Sequence, residues 1–121
     1  MIDKIKTMEL EITSDCNAAC PGCARTLNAD ILEVQHFSLA DLQRILPDER
    51  HIKDKDIRLC GVLGDPMIHP EIVEIVEYLL TNGATVTIST NAGIGTEQMY
   101  YQLGILSKQY NQGKTLNKNI K

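Results

Sequence analysis

The sequence predicts an α/β domain in which strands and helices alternate as β-α-β-α-β-α along a parallel sheet. Three observations predict it. Apolar and polar residues alternate over 7–13, 57–60 and 84–89, the period of a strand. Apolar residues recur at helical spacing in the segments between and after these. Helix stops fall where the two patterns meet, at Pro47 and at Asn82-Gly83. Strands alternating with helices imply parallel pairing through right-handed crossovers.

The first strand is Thr7-Met8-Glu9-Leu10-Glu11-Ile12-Thr13. A loop from 14 to 37 follows, rich in Cys, Asn and Asp, with room for a helical turn. A loop this long in a compact domain is a mark of function. Ser38-Leu39-Ala40-Asp41 reads as a variant capping box that opens a helix with Leu39, Leu42, Ile45 and Leu46 on its apolar face. Residues 48–55 are charged and are expected at the surface. Ile57-Arg58-Leu59-Cys60 is the second strand, and 61–69 a loop with two glycines and a proline. Pro70 suits the first turn of a helix that carries Ile72, Ile75, Val76, Leu79 and Leu80. The third strand places Val86 and Ile88 on one side. Asn91-Ala92-Gly93-Ile94-Gly95 then turns into a helix bearing Met99, Leu103 and Leu106.

Length and composition bound the functions. The 121 residues suffice for one domain. Residues 1–110 are expected to form it, and the polar, acid-free stretch 111–121 to be a disordered tail. Twelve basic against sixteen acidic residues argue against nucleic acid as a partner. No apolar run is long enough to span a membrane, and residues 1–4 carry no apolar signal segment, so a cytoplasmic location is expected. Three of the four cysteines crowd into eight residues, which suits a metal or cluster site better than a disulfide framework.

In a parallel α/β sheet, ligands bind at the carboxyl ends of the strands. All three unusual segments of this chain fall there. After the first strand come Cys16, Cys20 and Cys23, spaced by four and three. Three thiolates can hold three irons of a cubane and leave the fourth open to a small molecule. The same three thiols, with Cys60 or a histidine, would also make a structural zinc site. After the second strand come Gly64 and Asp65, a close backbone approach beside a carboxylate, or simply a tight turn. After the third come Ser89, Thr90 and Asn91, able to bond a ligand or to cap the next helix.

Cys16-x3-Cys20-x2-Cys23, then Gly64-Asp65-Pro66-Met67-Ile68-His69-Pro70, then Ser89-Thr90-Asn91, in this order, resembles the radical S-adenosylmethionine (radical SAM) superfamily. The branch it is most similar to often carries a C-terminal cluster domain of SPASM type and modifies peptides or proteins. Leu63 and Asp65 stand where the family's Gly-Gly-Glu motif has its first Gly and its Glu, and Gly22 where an aromatic residue is common. The resemblance implies an incomplete (β/α)6 partial barrel, TIM-like, of which this chain has about half. It implies a [4Fe–4S] cluster on Cys16, Cys20 and Cys23, and S-adenosylmethionine chelated at the open iron. Gly64 and Asp65 would contact the methionyl amino group, with Ser89 and Asn91 near the bound cofactor. It also implies an external one-electron donor and an unidentified substrate, a peptide or protein among the classes. No residue of the chain is assigned to catalysis itself.

Half a barrel leaves an open third strand and an inner sheet face without a far wall, so the chain is expected to be a fragment, a truncated gene product or one part of an assembly in which a second chain completes the barrel. A zinc-binding interaction module and a cluster-binding fragment without turnover are the alternative functions. Other residues take plainer roles. Cys60 reads as a core cysteine, His69 as a cap or turn residue, and His36 and His51 as surface residues. Arg25 could offset thiolate charge but suits the surface equally. Tyr100 and Tyr101 read as packing on the last helix.

Overall fold

A computed structural model describes residues 2–16, 20–28, 30–61 and 63–110. The stretch expected to be a tail, 111–121, lies outside the described residues, as does the side chain of Arg25. Three strands form one parallel sheet among the described residues: β1 (Thr7–Leu10), β2 (Asp56–Leu59) and β3 (Thr85–Ile88), in the order β1-β2-β3. Four helices accompany them: α1 (Ala24–Leu27), α2 (Leu39–Ile45), α3 (Ile72–Thr81) and α4 (Glu97–Tyr110). The α/β class and the parallel order are those the alternation predicts.

Register sets the two faces of the sheet. Met8, Ile57 and Val86 are aligned across the strands, as are Leu10, Leu59 and Ile88. This apolar face carries the core: Ile57, Leu59 and Val86 are fully buried with Leu42 of α2 and Ile75, Val76 and Leu79 of α3, and Leu103 of α4 is buried beside them. The opposite face aligns Thr7 with Asp56 and Thr85, and Glu9 with Arg58 and Thr87. The expected bare inner face is therefore polar, and water can cover it at no hydrophobic cost.

Local chemistry explains the helix ends. The Asp41 N–H donates to Ser38 Oγ at 3.1 Å, the cap expected of that segment. The Leu39 N–H, another orphan of the first turn, donates to Glu71 Oε1 at 3.3 Å and ties α2 to the start of α3. At the end of α3, Gly83 takes φ of 92°, and the N–H groups of Gly83 and Ala84 return to the carbonyls of Leu80 and Leu79.

The structure corrects several expectations. β1 stops at Leu10 rather than Thr13, because the chain leaves the sheet to pair elsewhere: Thr13 bridges His36 in antiparallel fashion. Residues 48–55 are not all at the surface. Ile52 is fully buried and Lys55 is 2% exposed. The stretch makes a 3₁₀ turn, Glu49–His51, and Ile52 enters the core directly after it, with His51 half-buried. Pro66–Ile68 is a further 3₁₀ turn where a plain loop was expected, and α3 begins at Ile72 rather than beside Pro70. Cys60 is half-buried just beyond β2, not a core residue.

Candidate functional site at the carboxyl rim of the sheet

The long loop after β1 closes on itself. The Phe37 N–H donates to the Ile12 carbonyl at 2.8 Å and the Ser14 N–H to the Gln35 carbonyl at 3.0 Å. Ser14 Oγ donates to the Glu33 carbonyl at 2.8 Å. His36 Nδ1 lies 2.8 Å from Oγ1 of Thr13, which is 3% exposed and also accepts the Asp15 N–H. These bonds hold both ends of the loop while its middle carries the cysteines. Cys20 is exposed and Cys16 and Cys23 are half-buried; none is in a disulfide. The Cys23 N–H donates to the Cys20 carbonyl at 3.0 Å, so these two share one turn, from which α1 starts.

The loop after β2 is pressed against this one. A Cβ on Gly64 would lie 2.0 Å from the Thr13 carbonyl oxygen and 2.9 Å from the Asp15 carbonyl oxygen. Space, not a positive φ, demands glycine here. The Asp65 N–H donates to the Asp15 carbonyl at 2.8 Å. Glu11 Oε1 accepts the Leu63 N–H at 2.7 Å.

The loop after β3 is held by the Asp65 side chain, which is 5% exposed. Thr90 Oγ1 donates to the carboxylate, 2.7 and 2.8 Å from its two oxygens, and the Asn91 N–H donates at 2.9 Å. The Asn91 Oδ1 accepts the Gly93 N–H at 2.7 Å, and its Nδ2 lies 3.9 Å from Cys16 Sγ. Ser89 is exposed at the rim, its N–H on the Leu59 carbonyl at 2.9 Å. Gly64, Asp65, Asn91 and Cys16 thus form one connected structure. Thr13 and Asp15, which join it, were not singled out from sequence; Thr90 was read only as part of the Ser89-Thr90-Asn91 segment, able to bond a ligand or to cap the next helix.

Below the rim, on the polar face, Glu9, Glu11, Cys60 and Gly61 line a pocket of about 320 Å³. Burial pushes the Cys60 thiol up, and the carboxylates of Glu9 and Glu11 add to this, so it stays protonated at neutral pH. His69 is fully buried. Its Nε2 lies 2.8 Å from the Phe37 carbonyl and its Nδ1 accepts the Glu71 N–H at 2.9 Å, so it caps the approach to α3 as expected, but from the core.

Among the described residues no group of three Cys, His, Asp or Glu side chains is already gathered around a metal position. The donor set nonetheless suits an iron–sulfur cluster: three soft thiols outside any disulfide, on one loop, at a rim.

No family model matches the chain. It is 29% identical over 102 residues, 84% of its length, to the tungsten-containing aldehyde ferredoxin oxidoreductase cofactor-modifying protein of Pyrococcus furiosus. It is 34% identical over 86 residues, 69% of its length, to 7-carboxy-7-deazaguanine synthase of Aquifex aeolicus. In fold it is similar to the crystal structure of BtrN in complex with AdoMet and 2-DOIA, with a TM-score of 0.61 over 84% of this chain and 19% identity. The chain resembles the radical SAM superfamily.

That resemblance is partial. The chain spans about a third of the curated relatives, 28% and 36% of their lengths, and 42% of BtrN. The three parallel strands correspond to part of a radical SAM barrel. A further likeness, 31% over 64% of the chain, runs to 15-hydroxyprostaglandin dehydrogenase [NAD(+)] of Homo sapiens. The loop after β1 separates the two. A dinucleotide-binding fold carries Gly-x-Gly-x-x-Gly there, whereas this loop has Gly22 as its one glycine and the three cysteines of the radical SAM pattern. Among the described residues no helix is long and apolar enough to cross a membrane.

Proposed function

We propose that this chain supplies the cluster-binding part of a radical SAM site. Cys16, Cys20 and Cys23 hold a [4Fe–4S] cluster, and S-adenosylmethionine binds beside it against Gly64, Asp65, Ser89 and Asn91. One observation carries the reading: Gly64 and Asp65 touch the cysteine loop on one side and the Thr90–Asn91 loop on the other. These contacts support reading the three segments of the motif as one site rather than three unrelated turns.

A cluster held by Cys16, Cys20 and Cys23 would supply the single electron for reductive cleavage of S-adenosylmethionine, the chemistry that belongs to the bound groups and not to the chain. The chain's own residues position and shield. The tethered ends of the cysteine loop hold the thiols at the rim. Gly64 lets backbone approach where a side chain would intrude. The polar face with Glu9, Arg58 and Thr87 borders the space a substrate would enter. A one-electron donor, a substrate and a chain segment completing the barrel wall are the partners this reading requires.

Anaerobic reconstitution of the full chain tests it. About four irons and four sulfides per chain are expected, lost in Cys16→Ala, Cys20→Ala and Cys23→Ala and retained in Cys60→Ala. Stoichiometric zinc without iron would replace this function with a zinc module. Equal loss of iron in Cys60→Ala would overturn the ligand assignment.

A further inference from the structure

Asp65 is engaged inside the rim. Its Oδ1 accepts the Met67 N–H at 3.0 Å, its Oδ2 the Asn91 N–H at 2.9 Å, and both oxygens share the Thr90 hydroxyl. Three donors take most of the acceptor positions of a carboxylate, and the group is 5% exposed. A ligand ammonium would find only the acceptor position that these donors leave. The same residue is bonded through its N–H to Asp15, one position before Cys16. Asp65 therefore fixes the loop after β3 relative to the first cysteine.

What that loop presents is Asn91. Its Oδ1 is held by the Gly93 N–H at 2.7 Å, which settles which end of the carboxamide is nitrogen. The Nδ2 is directed toward Cys16, 3.9 Å from its sulfur, the outer range of an N–H···S contact. Hydrogen bonds to cluster sulfurs stabilise the more negative, reduced state and raise its potential.

We propose that Asp65 is a positioning residue that sets the loop after β3 so that the Asn91 carboxamide donates to the Cys16 sulfur and raises the reduction potential of a cluster held there. The proposal rests on the reading of Cys16, Cys20 and Cys23 as cluster ligands.

The test is a redox titration of the reconstituted full chain, followed by electron paramagnetic resonance, without S-adenosylmethionine. Asn91→Leu should keep its iron and sulfide, while its reduction equilibrium falls three- to tenfold. Tenfold corresponds to a midpoint about 59 mV more negative for a one-electron couple. Asp65→Asn should shift in the same direction. The double variant should move no further than Asn91→Leu, because both changes act on one bond. Unchanged potentials with intact clusters, or additive shifts, overturn the proposal. A wild-type chain that takes up no iron sinks the cluster reading and the tuning with it. Hydrogen exchange on the metal-free chain tests the anchoring by itself. The Met67 and Asn91 amides should exchange at least about tenfold faster in Asp65→Asn, and equal rates would remove Asp65 as the anchor.

Discussion

Replacing Gly64 by alanine would set a methyl carbon 2.0 Å from the Thr13 carbonyl oxygen, 2.7 Å from its carbon and 2.9 Å from the Asp15 carbonyl oxygen. Ordinary contact begins near 3.4 Å, so the two loops must part by about 1.4 Å. Every atom met is backbone, and no rotamer change relieves the overlap. Parting the loops also stretches the Asp65 N–H···Asp15 bond, now 2.8 Å, beyond hydrogen-bonding range. Overpacking costs about 1–3 kcal/mol and a lost hydrogen bond about 1 kcal/mol more. Gly64→Ala should therefore destabilise the chain by roughly 2–4 kcal/mol, read as a lower urea midpoint at unchanged slope. Gly22→Ala is the control, since its Cβ would meet nothing within 4 Å, and should stay within about 0.5 kcal/mol of wild type. A Gly64→Ala midpoint equal to that of Gly22→Ala would refute the close apposition of the two loops.

Gly104 lies exposed within α4, with open space where a Cβ would go, so Gly104→Ala should stabilise the chain by about 0.5–1 kcal/mol in the same titration. For His69, burial lowers the pKa, His36 opposes its charge, and the Phe37 carbonyl with Glu71 and Glu74 pulls the other way. Protonation would also put a donor on Nδ1, against the Glu71 N–H it now accepts. The unfolded chain takes this proton near pH 6.5 and the folded chain only at lower pH. This contribution to stability is thus constant above about 6.5 and falls as pH drops toward the folded pKa, with a limiting slope of about 1.4 kcal/mol per pH unit. His69→Gln should flatten stability against pH between 7 and 5 relative to wild type; an unchanged profile would show that His69 does not cause it.

The alternation of apolar residues carried the sheet and its helices because their periods differ, and the core forms on the face those residues share. Thr13, His36 and Phe37 show what periodicity misses. Their pairing closes a loop across more than twenty residues, and no local pattern encodes it. Ile52 and Lys55 were misplaced because a single apolar residue in a charged run has no period to read. At the rim, topology alone placed the three motif loops together. Gly64 read equally well as a turn residue until its distance to Thr13 was known. Asp65 was visible as a carboxylate, but not the direction in which it points, which depends on Thr90 and Asn91, 25 and 26 residues away. Thr90 was legible as part of the Ser89-Thr90-Asn91 segment but not as a donor to Asp65, because a hydroxyl there could equally cap the next helix.

In the proposed function, three thiols of one loop hold a cluster with an open iron facing the Gly64–Asp65 and Asn91 segments. The most direct measurement is electron paramagnetic resonance of the reduced, reconstituted full chain with and without S-adenosylmethionine. A [4Fe–4S] signal that changes when the cofactor is added is expected. A signal indifferent to the cofactor, or a chain that binds no iron at all, would contradict it.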